Sequence, residues 1–251
     1  LATKVIEREA EEVKKTIEPR LKRLNTDYID IYYFHREDHT AALDESLRAV
    51  GDAIQAGKIR YFGLSNFRAW RHSEIIRLCQ ELGVPKPIVS QPYYNALNRM
   101  PEVEVLPVCH HHGLGVVPYS PIARGVLSGK YRPGEKPKAG SRAARKDRRM
   151  MQTEYRSESI DIAQEILKYT SARGIEPVHF AVNWVLANSA ITSVIVGPRT
   201  LSQMKAYVGA FKHSWTREDE DFVDGLVPAG HPSTPGYSDP AYPIEGRMVS
   251  V

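Results

Sequence analysis

The sequence predicts an α/β fold built on a parallel sheet, and three observations carry that prediction. Short β-rich runs recur roughly 25 to 35 residues apart, with helical spacing between them. The apolar residues within each run are nearly continuous, as in parallel strands covered by helices. Polar or aromatic residues (His35, Ser65 and Asn66, Gln91, Tyr119 and Ser120) stand at the C-terminal end of nearly every run. The third feature favours a (β/α)8 TIM barrel, whose enzymes keep their sites on that rim. A doubly wound sheet would gather ligand groups at one switch point behind a glycine-rich turn, and no G-x-G-x-x-G occurs here.

Six strands are expected, at residues 1–5, 28–35, 60–66, 87–94, 114–121 and 193–197. Val13, Ile17, Leu21 and Leu24 follow the first at helical spacing. Leu43, Leu47, Val50 and Ile54 follow the second, and Ile75, Leu78 and Leu82 the third, so each helix buries one stripe. Helix ends are marked by Asn25 after a leucine, by Gly57 between Ala56 and Lys58, and by Gly83 and Gly113, where a left-handed residue costs little. Against a full barrel, about six of the eight strands are represented.

At 251 residues, 42% hydrophobic and 25% charged, with no internal repeat, the chain can bury one large core. Residues 1–251 read as a single barrel domain, incomplete at its N-terminus. No apolar run approaches the roughly 20 residues of a membrane span, and the first residues lack the order of a signal peptide, so a cytoplasmic protein without a membrane partner is expected. The chain begins with Leu, which suggests that something upstream has been removed. Cys79 and Cys109 lie in separate helical segments and suggest neither a disulfide framework nor a metal site.

The net charge of +4 owes much to 142–149, with five basic residues and one acid, inside a basic loop at 132–157. Without interleaved aromatic residues, that stretch reads as a solvated loop or an anion-facing lid and not as a nucleic-acid surface. Cys109, His110, His111 and His112 have the composition of a metal cluster, but consecutive helical residues point about 100° apart, so no metal is expected. Residues 227–251 hold five of the seventeen prolines and read as a C-terminal loop.

Six blocks, in order along nearly the whole chain, resemble the aldo-keto reductase superfamily. LATKV at 1–5 resembles the third barrel strand, which in the family ends in an active-site lysine. LNTDYIDI at 24–31, followed by His35, resembles the fourth with its active-site histidine. GLSNF at 63–67, QPYYN at 91–95, PYSPIARGVLSGKY at 118–131 and IVGPRT at 195–200 with Gln203 are similar to the fifth through eighth strands and their loops. The resemblance implies a (β/α)8 barrel and an NADPH-dependent oxidoreductase that reduces aldehydes or ketones to alcohols, or runs the reverse. The family's active-site tyrosine and aspartate precede the unit that 1–5 resembles, so no position here corresponds to them and the first two strand-helix units are expected to be absent. A Glu-Asn pair frequent in the family is replaced by Ala206 and Tyr207.

Hydride transfer to a carbonyl needs the nicotinamide held at the carbonyl carbon, with a proton donor and positive charge at the oxygen. The resemblance makes His35 and Lys4 the catalytic candidates: the imidazole donates a hydrogen bond to that oxygen, and the lysine tunes the family's tyrosine. Read without it, His35 is more often a satisfied strand-end histidine and Lys4 a solvent-facing lysine. Ser65, Asn66 and Gln91 offer groups that orient a carboxamide, and Tyr119 offers a ring for stacking. The loop of Ser120, Pro121, Ile122, Ala123, Gly125 and Lys130 is a candidate pyrophosphate cradle, with Arg142 of the basic loop as a clamp. Gly197 and Arg199 precede a helix at 200–208 whose start favours an anion. Arg199 can fork onto a 2′-phosphate, which argues for NADP over NAD, with Gln203 and Tyr207 toward the adenosine. In the family the C-terminal loop borders the substrate pocket, which makes Tyr237, Tyr242 and Pro243 candidate contacts for a small carbonyl or alcohol.

Two other readings compete. One is an NADPH-binding regulatory or structural subunit with little turnover, against which the retained His35 argues. The other is an inactive truncated barrel whose open edge is covered by another chain, for instance in a homo-oligomer.

Overall fold

Among the described residues, five parallel strands pair in chain order: β1 (Ala2–Val5), β2 (Ile29–Phe34), β3 (Ile59–Ser65), β4 (Val89–Gln91) and β5 (Gly115–Val116). Helices α1 (Ala10–Leu24), α2 (Leu43–Gln55), α3 (Ala69–Leu82) and α4 (Val105–His112) alternate with them, as the spacing predicts. The computed structural model describes residues 1–5 and 10–244. These elements belong to one unit of the chain, made of Leu1–Tyr93, Pro101–Pro118 and Ala190–Ser193.

Alternation along each strand sorts the side chains of this unit. Tyr32, Phe34, Phe62 and Leu64 turn to one face, where they pack with Val13, Ile17 and Leu21 of α1, Leu47 and Val50 of α2, and Ile75 of α3. The Phe34 and Phe62 rings lie 5.9 Å apart. Each buried Phe or Leu contributes about 1.5–3 kcal/mol. Lys4, Tyr33, Gly63 and Val89 are cross-strand neighbours in one row of the other face, and Ser65 pairs with Gln91 in the next.

The fourth and fifth strands are shorter than expected, for a covalent reason. Pro92 has no N–H to continue β4, and Pro118 stops β5 although Val117 still donates to the Ser90 carbonyl at 2.9 Å. Cys79 and Cys109 are buried free thiols, pushed up by burial to about 12 and about 11.

A polar pair lies inside the packing of α3 on the sheet. His72 is fully buried, with Nδ1 2.9 Å from the Arg68 carbonyl and Nε2 3.0 Å from Ser90 Oγ. A carbonyl only accepts, so Nδ1 carries the proton and Nε2 accepts from the serine. Burial holds the imidazole below its ordinary pKa of 6.5, partly opposed by the Arg68 bond. A depressed imidazole pKa favours the neutral folded form, so stability is full above pH 6.5 and declines as the pH falls toward the folded-state pKa, at up to about 1.4 kcal/mol per pH unit. Urea unfolding at pH 7.5 and 5.5 should show the decline, and His72→Asn should flatten it. A variant with an undiminished pH dependence would assign the effect to other groups.

The other unit comprises Tyr94–Met100, Tyr119–Ser189 and Val194–Val251. Its helices are α5 (Arg148–Thr153), α6 (Ser157–Ala172), α7 (Pro177–Ala187), α8 (Leu201–Val208) and α9 (Arg217–Leu226). Phe180, Trp184 and Val185 of α7 are buried with Ala163 and Ile166 of α6. Thr216 and Asp219 form a reciprocal capping box that starts α9. In place of the expected sixth strand, 193–197 contributes one parallel bridge, Ile195 to Tyr119, before Pro198.

The stretch 132–157 is not wholly a loop. It contains α5, capped by Asp147, whose carboxylate accepts from the Met150 N–H at 3.0 Å. Arg149 forks onto Asp239 of the C-terminal segment at 2.9 and 2.6 Å, and the Tyr237 hydroxyl donates to the Gln152 carbonyl at 3.1 Å. The remainder of the predicted C-terminal loop, 245–251, lies outside the described residues. Among the described residues no helix is long and apolar enough to cross a membrane.

Candidate functional site

Lys4 and His35 emerge on the same face of the first unit. Lys4 sits opposite Tyr33 on β1, and His35 follows β2 with its N–H bonded to the Val5 carbonyl at 2.9 Å. Both side chains are half-buried. Burial holds the Lys4 ammonium below its ordinary pKa. Burial first, then the charges of Lys4 and Arg36, holds His35 below the ordinary 6.5. His35 is therefore a neutral imidazole at physiological pH, able to donate a ring N–H to a substrate oxygen.

The three carboxamide candidates differ in what they have left to offer. Ser65 is fully buried and donates its hydroxyl to the Gln91 main-chain carbonyl at 2.9 Å. Asn66 takes a left-handed φ of 60° and sends its amide N–H to the His35 carbonyl at 2.8 Å and to Ser65 Oγ at 3.1 Å. These bonds tie the ends of β2, β3 and β4 together. Gln91 is 2% exposed, and its side-chain oxygen is buried without a hydrogen-bond partner. A buried orphan carbonyl costs about 1–3 kcal/mol unless a donor reaches it, and a nicotinamide carboxamide N–H is such a donor.

The second unit holds a cavity of about 410 Å³. Its lining includes Tyr119, Ser120, Pro121, Ile122, Gly125, Lys130, Arg142, Gly197, Arg199, Gln203 and Tyr207, all of them sequence candidates, together with Arg124, Ser128, Val178, Ile195 and Ala206. Ala123, also a candidate, does not line it: the side chain is fully buried and the N–H is bonded to the Ser120 carbonyl at 2.9 Å. Four cations and no carboxylate face this cavity.

The loop wall is a 3₁₀ turn, Ala123–Ser128, in which consecutive residues take positive φ: 48° at Ala123, 50° at Arg124 and 100° at Gly125, with 61° at Ser120. The step from Ile122, at φ −102°, into this left-handed run is the kind of backbone reversal that makes an anion-binding concavity. Lys130 Nζ lies 2.6 Å from where a Gly125 Cβ would stand, so the glycine brings that cation against the turn. Arg124 Nε donates to Glu154 at 2.8 Å, and Arg142 Nη1 to Asp147 at 3.5 Å.

On the opposite wall, Thr200 caps α8 by accepting from the Gln203 N–H at 3.3 Å, and Gln203 Oε1 accepts from the Arg199 N–H at 2.7 Å. Gln203 thus fastens the helix start on which Arg199 stands. Tyr207, one turn on, has its phenol pushed up by burial, with Arg142 acting the other way. Tyr119 is pushed up further, by burial and then by Tyr242, so it stays a neutral ring.

Sequence reasoning missed Arg124 although it lies inside the loop singled out. The signal available was its place beside Gly125 in a turn that needs left-handed residues. Val178 and Ala206 carry no chemistry that a motif would reveal. His112 of the histidine run is turned to Ser73 Oγ at 3.0 Å, and no three potential ligands converge among the described residues.

Residues 1–227 match the model of the Aldo/keto reductase family. The chain is 32% identical over 227 residues to the uncharacterized oxidoreductase YrpG of Bacillus subtilis strain 168, covering 89% of this chain and 66% of the relative. It is 32% identical over 211 residues to aflatoxin B1 aldehyde reductase member 2 of Mus musculus, covering 79% and 58%. With L-glyceraldehyde 3-phosphate reductase of Escherichia coli O157:H7 it shares 30% identity over 223 residues, covering 86% and 63%. The chain thus spans 58 to 66% of the length of these relatives.

Proposed function

The chain belongs to the aldo/keto reductase family, a (β/α)8-barrel family of oxidoreductases, and from that premise we propose that it binds NADPH and takes part in the reduction of aldehydes or ketones to alcohols. The observation that carries this reading is the cavity with four cations and no carboxylate, walled by a turn of left-handed residues. Such a lining favours a dianionic pyrophosphate and a further phosphate.

A reduced nicotinamide, when bound, supplies the hydride that goes to the carbonyl carbon. The chain's own residues would bind and orient the cofactor and the substrate oxygen. Lys130, Arg124 and Gly125 would hold the pyrophosphate, Arg199 would fork onto a 2′-phosphate, and the Tyr119 ring would offer a face for stacking. Gln91 Oε1 would accept from the carboxamide and fix its rotation. His35 would donate a hydrogen bond from its ring N–H to the carbonyl oxygen, where negative charge grows, Lys4 would add positive charge on the same face, and the alkoxide formed would take its proton from water.

Fluorescence titration of the chain with NADPH tests the reading, with Gly125→Val as the control. Lys130 can swing away from an added side chain, but valine at φ 100° carries backbone strain of about 1–3 kcal/mol and deforms the cradle. Wild-type binding at micromolar concentration or tighter is expected, weakened about tenfold or more in the variant. Absence of binding by the unaltered chain, or equal binding by both, would overturn the assignment of the cradle.

A further inference from the structure

Tyr33 has no part in the reading above, yet β2 carries it on the same face as Lys4 and His35, 3% exposed and directly opposite Gly63 of β3. A Cβ at Gly63 would stand 2.8 Å from Tyr33 Cε1, 2.9 Å from Cδ1 and 2.6 Å from Val89 Cγ1. The tyrosine ring therefore lies across the glycine, in space that any other residue would fill. Gly63 is not among the glycines with positive φ, so no turn demands it there; the Tyr33 ring and the Val89 side chain do.

Beyond Gly63 the same row reaches β4, where Val89 is the cross-strand neighbour and Gln91 the next residue on that face. The Gln91 side chain hydrogen-bonds the Tyr33 hydroxyl. Its Oε1 is the atom left buried without a hydrogen-bond partner, so the amide N–H₂ is the group turned to the phenol. An unsupported amide can rotate by half a turn and present N–H₂ where the carbonyl should be, which would repel a carboxamide donor.

We propose that Tyr33 is a positioning residue, whose hydroxyl holds the Gln91 amide so that Oε1 faces the carboxamide N–H₂ of the cofactor. The proposal rests on the cofactor reading above. It explains why a buried phenol and a strand glycine occupy one row: the glycine admits the ring, the ring carries the hydroxyl to β4, and the hydroxyl orients the orphan oxygen of Gln91.

The test compares NADPH with its 3-acetylpyridine analogue, which has a methyl group in place of the carboxamide N–H₂. Fluorescence titrations would be run on the unaltered chain, Tyr33→Phe, Gln91→Leu and the double variant, with thermal melting of each. Tyr33→Phe keeps the ring over Gly63 and removes only the hydroxyl. Loss of one hydrogen bond predicts NADPH binding weakened about 3- to 10-fold, with the analogue changed less than about twofold. In the Gln91→Leu background the same substitution should have no further effect. Equal losses for both nucleotides, or additive losses in the double variant, would overturn the positioning role and leave the cofactor reading intact. An unaltered chain that binds neither nucleotide would overturn the cofactor reading and this proposal with it.

Discussion

Under the proposed reductase activity, replacing His35 by Phe should lower kcat for reduction of a nitrobenzaldehyde by about 100-fold or more, while NADPH affinity stays within about threefold. The size follows from removing one preorganised donor at a developing oxyanion, which costs about 10²–10³ in rate. Cofactor affinity is spared because the groups assigned to the phosphates and the carboxamide do not include the imidazole. The pH profile supplies a second readout. Burial, with Lys4 and Arg36, holds His35 below 6.5, so the neutral donor is already present at pH 7.5 and remains as the pH falls through 6.5. The rate should therefore show no rise on acidification across that value. A rate that climbs as pH falls through 6.5 would mean that the imidazolium does the work, and an unchanged kcat in His35→Phe would return the residue to a structural role.

What could be read from the sequence, and what could not, follows from the range of the forces involved. The β/α alternation was legible because parallel strands are buried on both faces and helices on one, which writes two different periods into the chain. Gly83 and Gly113 were legible because a left-handed helix end singles out glycine, and both have φ near 65°. The trimmed strands were legible in principle from Pro92, Pro118 and Pro198, whose missing N–H ends a ladder, but β-propensity outweighed the prolines in the reading. The rim residues were visible as polar groups after apolar runs. Their division of labour was not: that Ser65 and Asn66 are engaged in tying strand ends while Gln91 keeps an orphan oxygen depends on contacts between residues 26 and 31 positions apart. The helix inside 132–157 is not legible because its charges read as a solvated loop or an anion-facing lid, whereas Asp239, 90 residues from Arg149, makes that cation a structural partner.

Arg199→Ala should weaken NADPH binding by about 10- to 100-fold and NADH binding by less than about twofold. Arg199 is exposed on the residue before the Thr200 cap, where its main-chain N–H is held by Gln203 and its side chain lines the cavity. A guanidinium that forks two charge-assisted bonds onto a 2′-phosphate contributes about 1.5–3 kcal/mol, and NADH, which lacks that phosphate, has nothing to lose there. The difference between the two nucleotides is the useful quantity, because deformation of α8 would penalise both. Exposure makes a further demand: raising the salt should narrow the gap between NADPH and NADH, since an exposed ion pair is screened within about 10 Å at 0.1 M. Arg199→Lys should recover only part of the gap, because an ammonium supplies the charge without the planar fork. Equal losses for both nucleotides would make Arg199 a support of the helix start, and a wild-type preference for NADH would remove the 2′-phosphate from the reading altogether.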